Sequence, residues 1–383
     1  MLNRIPCNLI LLLFFAFLGA QNARAVDMPI PAQPELPAKS YLLMDAHSGK
    51  LLADFNGELQ LAHASLTKIM TVYVVFRELT NGNIKLDDMV TISEKAWRTG
   101  GSRMFIEVNT PVSVEDLLKG VIIQSGNDAS VALAEHVAGD ESTFAALMNQ
   151  HAERLEMVNT HFVNSDGLPK KDHYTSAHDL AILTKALIKD FPEYYQWHAE
   201  KEFTYNGITQ HNRNKLLYRN PSVDGVKTGH TEEAGFCLVA SAKRDDMRLI
   251  SVVMGANSDN SRANANQALL NYGFRFFETH RLYEANKPLT ETRIWKGEVS
   301  KVPLGVTDDL FVTIPRRQYN NLKASMEVES TITAPVKQGQ TVGNVNVALG
   351  EEVITQRPLV ALKSVAEGGI FQRLYDEALL LIQ

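Results

Sequence analysis

Ala64-Ser65-Leu66-Thr67-Lys68 leads straight into Ile69-Met70-Thr71-Val72-Tyr73-Val74-Val75-Phe76, and the reading of this stretch decides the rest of the chain. On a helix Ser65 and Lys68 lie one turn apart on a shared face, so the amine reaches the hydroxyl. A serine hydroxyl is a poor nucleophile until a positioned base takes its proton. Lysine serves as that base only when burial or a neighbouring cation lowers its pKa. The run from Leu66 to Leu79 is apolar on nearly all sides and stops at Asn81-Gly82-Asn83, which predicts a buried helix. Its dipole turns a positive end towards Ser65, and its surroundings desolvate the Lys68 stem. Taken alone, Ser-x-x-Lys describes a helix cap followed by a surface lysine equally well.

Two later stretches change the balance. Ser125-Gly126-Asn127 separates two helical segments, Val114 to Ile123 and Asp128 to Val137, and forms a short corner whose glycine eases a sharp turn. Such a corner presents a hydroxyl and an amide to a cleft. Lys227-Thr228-Gly229 falls in a strand-like segment, Val223 to His230. Beside it lie two apolar strands, Gly235 to Lys243 and Met247 to Ala256, turning at Arg244-Asp245-Asp246. A glycine on a strand admits a second backbone, which here would be a substrate laid along the sheet edge.

The rest of the chain frames these three stretches. Its 383 residues, 45% hydrophobic and 21% charged, are enough for more than one domain with a sizeable core. Residues 1–25 read as a cleavable signal peptide, with Arg4, an apolar run from Leu9 to Leu18, and Ala23-Arg24-Ala25. Cleavage removes Arg4 and Arg24, so the formal charge of −6 becomes still more acidic, and no basic patch points to nucleic acid. Cleavage also removes Cys7, leaving Cys237 in an apolar strand as a buried small hydrophobe. Residues 26–39 form a proline-rich extended leader. Residues 40–279 form the first domain, opening with two strand-like runs around His47-Ser48-Gly49 and closing with a helix from Gln267 to Glu278. Ser93 to Met104 is a polar, turn-rich loop. Strands at both ends with helices between predict an α+β fold, an antiparallel sheet carrying a helical cluster.

Residues 280–367 change character. Short runs at Val302–Val306, Leu310–Ile314, Ser325–Thr333, Val342–Ala348 and Leu359–Leu362 predict a small all-β domain. Residues 368–383 form an amphipathic helix, with Ile370, Phe371, Leu374, Ala378, Leu381 and Ile382 on one face and Arg373, Asp376 and Glu377 on the other. That pattern fits an in-plane membrane anchor, and it also fits a helix docked on its own protein. No cofactor or metal is called for, since the 11 histidines contain no His-x-x-x-His pair or comparable ligand cluster.

With the three motifs in order, the chain resembles the low-molecular-mass penicillin-binding proteins, and more closely the D-alanyl-D-alanine carboxypeptidases of peptidase family S11. The middle position of the second motif holds Gly126 where the pattern has aspartate, which leaves its two functional side chains in place. Local wording adds to the resemblance: Gln124 to Ala129, Asp224 to Thr231 and Gly273 to Thr279. The resemblance implies a penicillin-binding/β-lactamase-like transpeptidase fold followed by the β domain and terminal helix. It implies a peptidoglycan stem pentapeptide as substrate and β-lactam antibiotics as acylating ligands. Ser65 would be the nucleophile, Lys68 its base and Ser125 a proton relay. Asn127, Lys227, Thr228, Gly229, His230 and Arg262 would bind substrate. Within that set, the His230 backbone N–H serves the oxyanion, and Thr228 with Arg262 grips the terminal carboxylate. Arg213 is a further candidate for support of the site. It also implies residence on the periplasmic side of the bacterial cytoplasmic membrane, with peripheral contact through the last helix.

Three other readings compete. A class A β-lactamase would carry a Glu-x-x-Leu-Asn stretch for its deacylating water, which is missing. A D,D-endopeptidase that cuts cross-links would use the same catalytic set. An envelope-binding protein without catalysis would have no need to keep Ser65 and Lys68 together.

Overall fold

The run Ile69 to Phe76 is buried at every position, so the helix it builds, Thr67–Thr80, is a central axis and not a surface element. A single 3-10 turn, Ala64–Leu66, precedes it and carries Ser65. The structure is a computed structural model that describes residues 30–382. The expected signal peptide and the first residues of the leader lie outside the described residues.

Five antiparallel strands make the main sheet, in the spatial order Leu51–Phe55, Ser40–Asp45, Met247–Ala256, Gly235–Arg244, Val223–Thr231. Period-two alternation splits their side chains between two cores. Leu42, Met44, Val239, Ile250 and Val252 face the helical cluster formed around Thr67–Thr80 by Asn127–Ala138, Glu141–Arg154 and Ala177–Asp190. Tyr41, Leu43, Leu238, Ala240 and Leu249 face the helix Asp259–Phe276 on the opposite side. The strand carrying Lys227-Thr228-Gly229 is therefore an edge, and it borders the helical cluster.

That second helix begins eight residues before the expected Gln267 and ends at Phe276. Ser258 caps it by accepting the Ser261 N–H. Its first turns are built from Asn, Ala and Arg and lack apolar periodicity. Arg262 and Asn266 are buried there because they bond the sheet: Asn266 meets the Ser251 hydroxyl and the Leu238 carbonyl.

The chain then enters the β region. Phe277–Tyr283 pairs with Leu310–Pro315. A five-stranded sheet follows in the order Thr290–Arg293, Lys301–Gly305, Glu352–Ala361, Thr341–Leu349, Leu322–Val328. Phe277–Tyr283 and Thr290–Arg293 fall outside the expected strand runs, and two other strands shift their bounds. Glu352–Ala361 starts seven residues before Leu359, because in its first half Val353 and Ile354 stand as an isolated pair among exposed or half-buried polar residues. Leu322–Val328 replaces Ser325–Thr333. The junction between the regions is polar and satisfied: buried Asp45 accepts from the Ser48 and Thr279 hydroxyls, and Thr279 meets Thr313.

The last helix, Ile370–Leu380, docks through its polar face. Buried Asp376 accepts the Lys296 backbone N–H at 2.6 Å and meets Arg293 at 3.4 Å. Ile370, Phe371, Leu374, Leu381 and Ile382 point away and are exposed. No helix among the described residues is long and apolar enough to cross a membrane.

Candidate active site

The nucleophile turn is assembled from its neighbours. Ala64 has a positive φ of 48°, a left-handed conformation that costs a non-glycine residue roughly 1–2 kcal/mol. Three contacts hold it. The Thr67 hydroxyl donates to the Ala64 carbonyl at 2.8 Å. Gly167 packs so closely that a Cβ there would sit 2.1 Å from the Ala64 carbonyl oxygen. Gly229 lies against the other side, where an added Cβ would stand 2.8 Å from the His63 carbonyl oxygen. The backbone admitted by the strand glycine is thus the chain's own nucleophile turn, where the sequence pointed to a substrate strand.

Lys68 is fully buried. Its ammonium donates to the Ser65 hydroxyl at 3.1 Å, to the Asn127 side-chain carbonyl at 2.7 Å and to the Asp166 backbone carbonyl. Burial, assisted by the charge of Arg213, lowers its pKa to about 8, against the opposing pull of Asp166 and Asp128. When one proton leaves, the two remaining N–H groups serve Asn127 and Asp166. The lone pair then faces the Ser65 hydroxyl, the geometry a general base needs.

The second motif enters through an unusual corner. A π-helical turn, Gly120–Gln124, ends at Ser125, which takes the left-handed conformation at φ 69°. Gly126 keeps an ordinary φ of −59°, so the strain of the turn rests on the serine and not on the glycine, as the sequence reading had it. Gly126 is needed for space: a Cβ there would lie 2.9 Å from the Asp128 carboxylate and 3.3 Å from the Met104 backbone nitrogen. Asp128 in turn accepts the Met104 and Phe105 N–H groups, which ties the Thr99–Phe105 loop to the corner. Asn127 is committed at both ends, since its NH2 also donates to the Gly100 carbonyl at 2.7 Å. Its structural work is to hold Lys68, and its second amide N–H remains for a ligand. The Ser125 and Thr228 hydroxyls make no hydrogen bond among the described residues.

The third motif forms the wall. Lys227 is buried, and burial together with Lys68, Arg213 and Arg262 pushes its pKa well down. Its amine donates to the Thr228 carbonyl at 3.1 Å. His230 is exposed, its ring against Phe236. Arg262 departs from its expected place at the substrate carboxylate. Its guanidinium sits behind the strand, donating to the Gly229 carbonyl at 2.8 Å and the Cys237 carbonyl at 3.1 Å, and it pairs with Asp259. These partners tie its guanidinium to the back of the motif strand. Exposed Arg213 lies close enough to depress the pKa of Lys68, Lys227 and Arg262.

Sequence reasoning missed the floor of the site. Asn164-Ser165-Asp166-Gly167-Leu168 supplies the carbonyl that holds Lys68 and the glycine beneath Ala64. His173 is also absent from the motif reading. Its Nδ1 accepts the Val163 N–H, so its Nε2–H faces the Thr67 hydroxyl at 2.9 Å. Burial holds it neutral, with a pKa of about 4. Only Gly167 left a trace in the sequence, and a lone glycine in a loop is too common a signal to place it.

Comparison with known proteins gives the family. The family described as D-alanyl-D-alanine carboxypeptidase matches residues 27–258, and the family described as penicillin-binding protein 5, C-terminal domain, matches residues 277–367. The D-alanyl-D-alanine carboxypeptidase DacC of Escherichia coli K12 is 49% identical over 94% of this chain and 92% of its own length. DacA of the same organism is 43% identical over 94% and 92%. The crystal structure of penicillin-binding protein 5 from Haemophilus influenzae has a TM-score of 0.84 at 43% identity, covering 88% of this chain and all of that one. By its motifs, its fold and these matches, the chain belongs to the D-alanyl-D-alanine carboxypeptidase family of serine peptidases, the low-molecular-mass penicillin-binding proteins.

Proposed function

We propose that this chain removes the terminal D-alanine from peptidoglycan stem pentapeptides through an acyl-enzyme on Ser65, and that β-lactams acylate the same hydroxyl. The observation that carries the proposal is the Lys68 amine, fully buried, bonded to Ser65 at 3.1 Å, with its pKa lowered to about 8. In this mechanism the neutral amine takes the Ser65 proton as the oxygen attacks the carbonyl between the two D-alanines. The oxyanion is met by the backbone N–H groups of Ser65 and His230, each such donor being worth about 3 kcal/mol of barrier. The unpartnered Ser125 hydroxyl passes a proton to the leaving amine, with Lys227 holding the local field positive. D-alanine leaves, and water releases the shortened peptide from Ser65. Asn127 offers its second amide N–H to the bound peptide. The Thr228 hydroxyl and the charge of Arg213 receive the terminal carboxylate, while Arg262 and Gly229 keep the strand in register.

The test is acylation by a fluorescent penicillin, mapped by peptide mass spectrometry. A single adduct on the peptide carrying Ser65, lost in Ser65→Ala, is expected. An adduct elsewhere, or none, overturns the assignment.

The same reading places the protein at the outer face of the bacterial cytoplasmic membrane after removal of residues 1–25. The exposed apolar face of Ile370–Leu380, with Leu381 and Ile382, is turned away from the protein, as an in-plane helix requires. The mature chain should sediment with lipid vesicles, and a Phe371→Ser, Leu374→Ser double variant should stay in the supernatant. Equal sedimentation of both would remove the helix as the anchor.

A further inference from the structure

Away from the catalytic cleft, Glu58, His178 and Asp179 bring three metal-ligand atoms within 4.8 Å of one another. They come from two parts of the fold. Glu58 lies in the segment that leads to Ser65, and His178 and Asp179 open the helix Ala177–Asp190. The His178 backbone N–H donates to the Gly57 carbonyl at 2.9 Å, which fixes the two segments against each other. The Asp179 side chain has no exposure. One of its oxygens, Oδ2, accepts the Asn159 N–H and the Thr160 hydroxyl at 2.8 and 2.7 Å. The other, Oδ1, is buried with no hydrogen-bond partner. An orphaned buried carboxylate oxygen is costly, and it faces the other two donors.

The His178–Glu58 spacing is that of two ligands on one cation, and the His178–Asp179 spacing is a few tenths of an ångström wider, so an ion would draw Asp179 slightly inward. His178 Nδ1 stands 3.3 Å from Glu58 Oε1 and 3.8 Å from Asp179 Oδ1, long for N–H···O bonds. Donors held at about 2.0–2.2 Å from a tetrahedral ion are themselves roughly 3.3–3.5 Å apart. One imidazole nitrogen with two carboxylates suits a first-row divalent ion such as Zn2+ over Mg2+ or Ca2+, which take oxygen sets. Asn159 also donates to the second Glu58 oxygen, and its backbone to Asp179, so both carboxylates are oriented from outside the set.

We propose that Glu58, His178 and Asp179 form a structural site for a zinc-class divalent cation, which clamps the segment before Ser65 to the loop beneath it. The loop in question runs from Asn159 to Thr175 and carries the Asp166 carbonyl, Gly167 and His173. Leu61 pairs with Thr175 by backbone hydrogen bonds at 2.8 and 3.1 Å, so an ion at Glu58 would close the far side of the same junction. The spacing search along the sequence missed this set because Glu58 is far from the histidine in the chain.

The experiment uses the untagged mature chain, with Zn2+ as the probe, in equilibrium dialysis read by atomic absorption and in thermal melts. The variants are Glu58→Gln and His178→Gln, both at residues with exposed or half-exposed side chains. Each must still label with fluorescent penicillin, which shows that it is folded. The expected result is one equivalent of Zn2+ retained by the wild type with a raised Tm. In each variant the affinity should fall by about 100-fold or more, beyond the 10–100-fold typical of partners that only orient a ligand. Loss of the Tm shift in both variants is expected as well. No retained Zn2+ in the wild type would leave a His–carboxylate ion pair and overturn the proposal. Retention unchanged in both folded variants would place the ion elsewhere and overturn it equally.

Discussion

At the scale of single residues, the chemistry turns on one lysine made unlike others. Lys68 is buried beside Asn127 and Asp166, and burial is the main reason its pKa falls to about 8. The base form is the neutral amine, so protonation below that value switches the base off. Acylation of Ser65 should therefore rise with pH and level off above about 8. Stopped-flow measurement of penicillin acylation across pH 6 to 10 checks this, and a profile flat through that range would contradict it. Lys68→Met should lower the rate by about 10²–10⁴, the usual share of general acid–base catalysis. Ser65, Lys68, Ser125 and Lys227 were all legible as residues because three short motifs recur together. What could not be read was their posture. Nothing in Ser125-Gly126-Asn127 says that the serine, and not the glycine, takes the left-handed conformation. Nothing in a lone Arg262 says that its guanidinium faces the Gly229 and Cys237 carbonyls.

At the scale of elements, the site is a contact between a helix start and a strand edge. The strand Val223–Thr231 leans on the turn Ala64–Leu66 at Gly229, with 2.8 Å between the added Cβ position and the His63 carbonyl oxygen. Gly229→Ala should push the strand off the turn and displace the His230 N–H from the oxyanion position. A misplacement near 1 Å costs about 100-fold in rate, so acylation should fall by roughly 10- to 100-fold. The same penicillin assay checks it, and wild-type rates in the variant would show that the close contact is idle. The elements legible in sequence were those carried by long apolar runs: Thr67–Thr80 and Met247–Ala256. The start of Asp259–Phe276 was hidden because its buried face is made of Arg262, Ala263, Ala265 and Asn266, residues that bond the sheet or fill small gaps. The first half of Glu352–Ala361 was hidden because Val353 and Ile354 are a lone apolar pair among polar residues. The Asn164–Leu168 floor was hidden because its contribution is made largely by backbone carbonyls, which leave no side-chain signature.

Across the whole molecule, several buried histidines set the acid limit of stability. Burial lowers His151, His173 and His198 to a pKa of about 4, and His63 falls well below its usual value. In the unfolded chain each titrates near 6.5. Between about pH 6.5 and 4 the unfolded state thus binds more protons at these histidines, so stability falls as pH drops through that window, and the histidine contribution is constant above it. Near pH 5.5 unfolding should take up about three to four protons, a slope that differential scanning calorimetry reads from Tm against pH. A Tm constant from pH 6.5 to 5 would contradict it. His173 adds a local consequence, because its neutral Nδ1 accepts the Val163 N–H while the ring braces Thr67 beneath the nucleophile turn. Acid therefore loosens the turn and the fold together. The β region and its terminal helix stand apart from this chemistry, joined to it through Asp45, Ser48, Thr279 and Thr313. The most direct measurement is mass spectrometry of the products formed from a synthetic stem pentapeptide ending in D-Ala-D-Ala, with Ser65→Ala beside the wild type. Loss of one D-alanine by the wild type alone is the predicted result. An intact pentapeptide with wild-type protein that still labels with penicillin, or equal release by Ser65→Ala, would contradict the account.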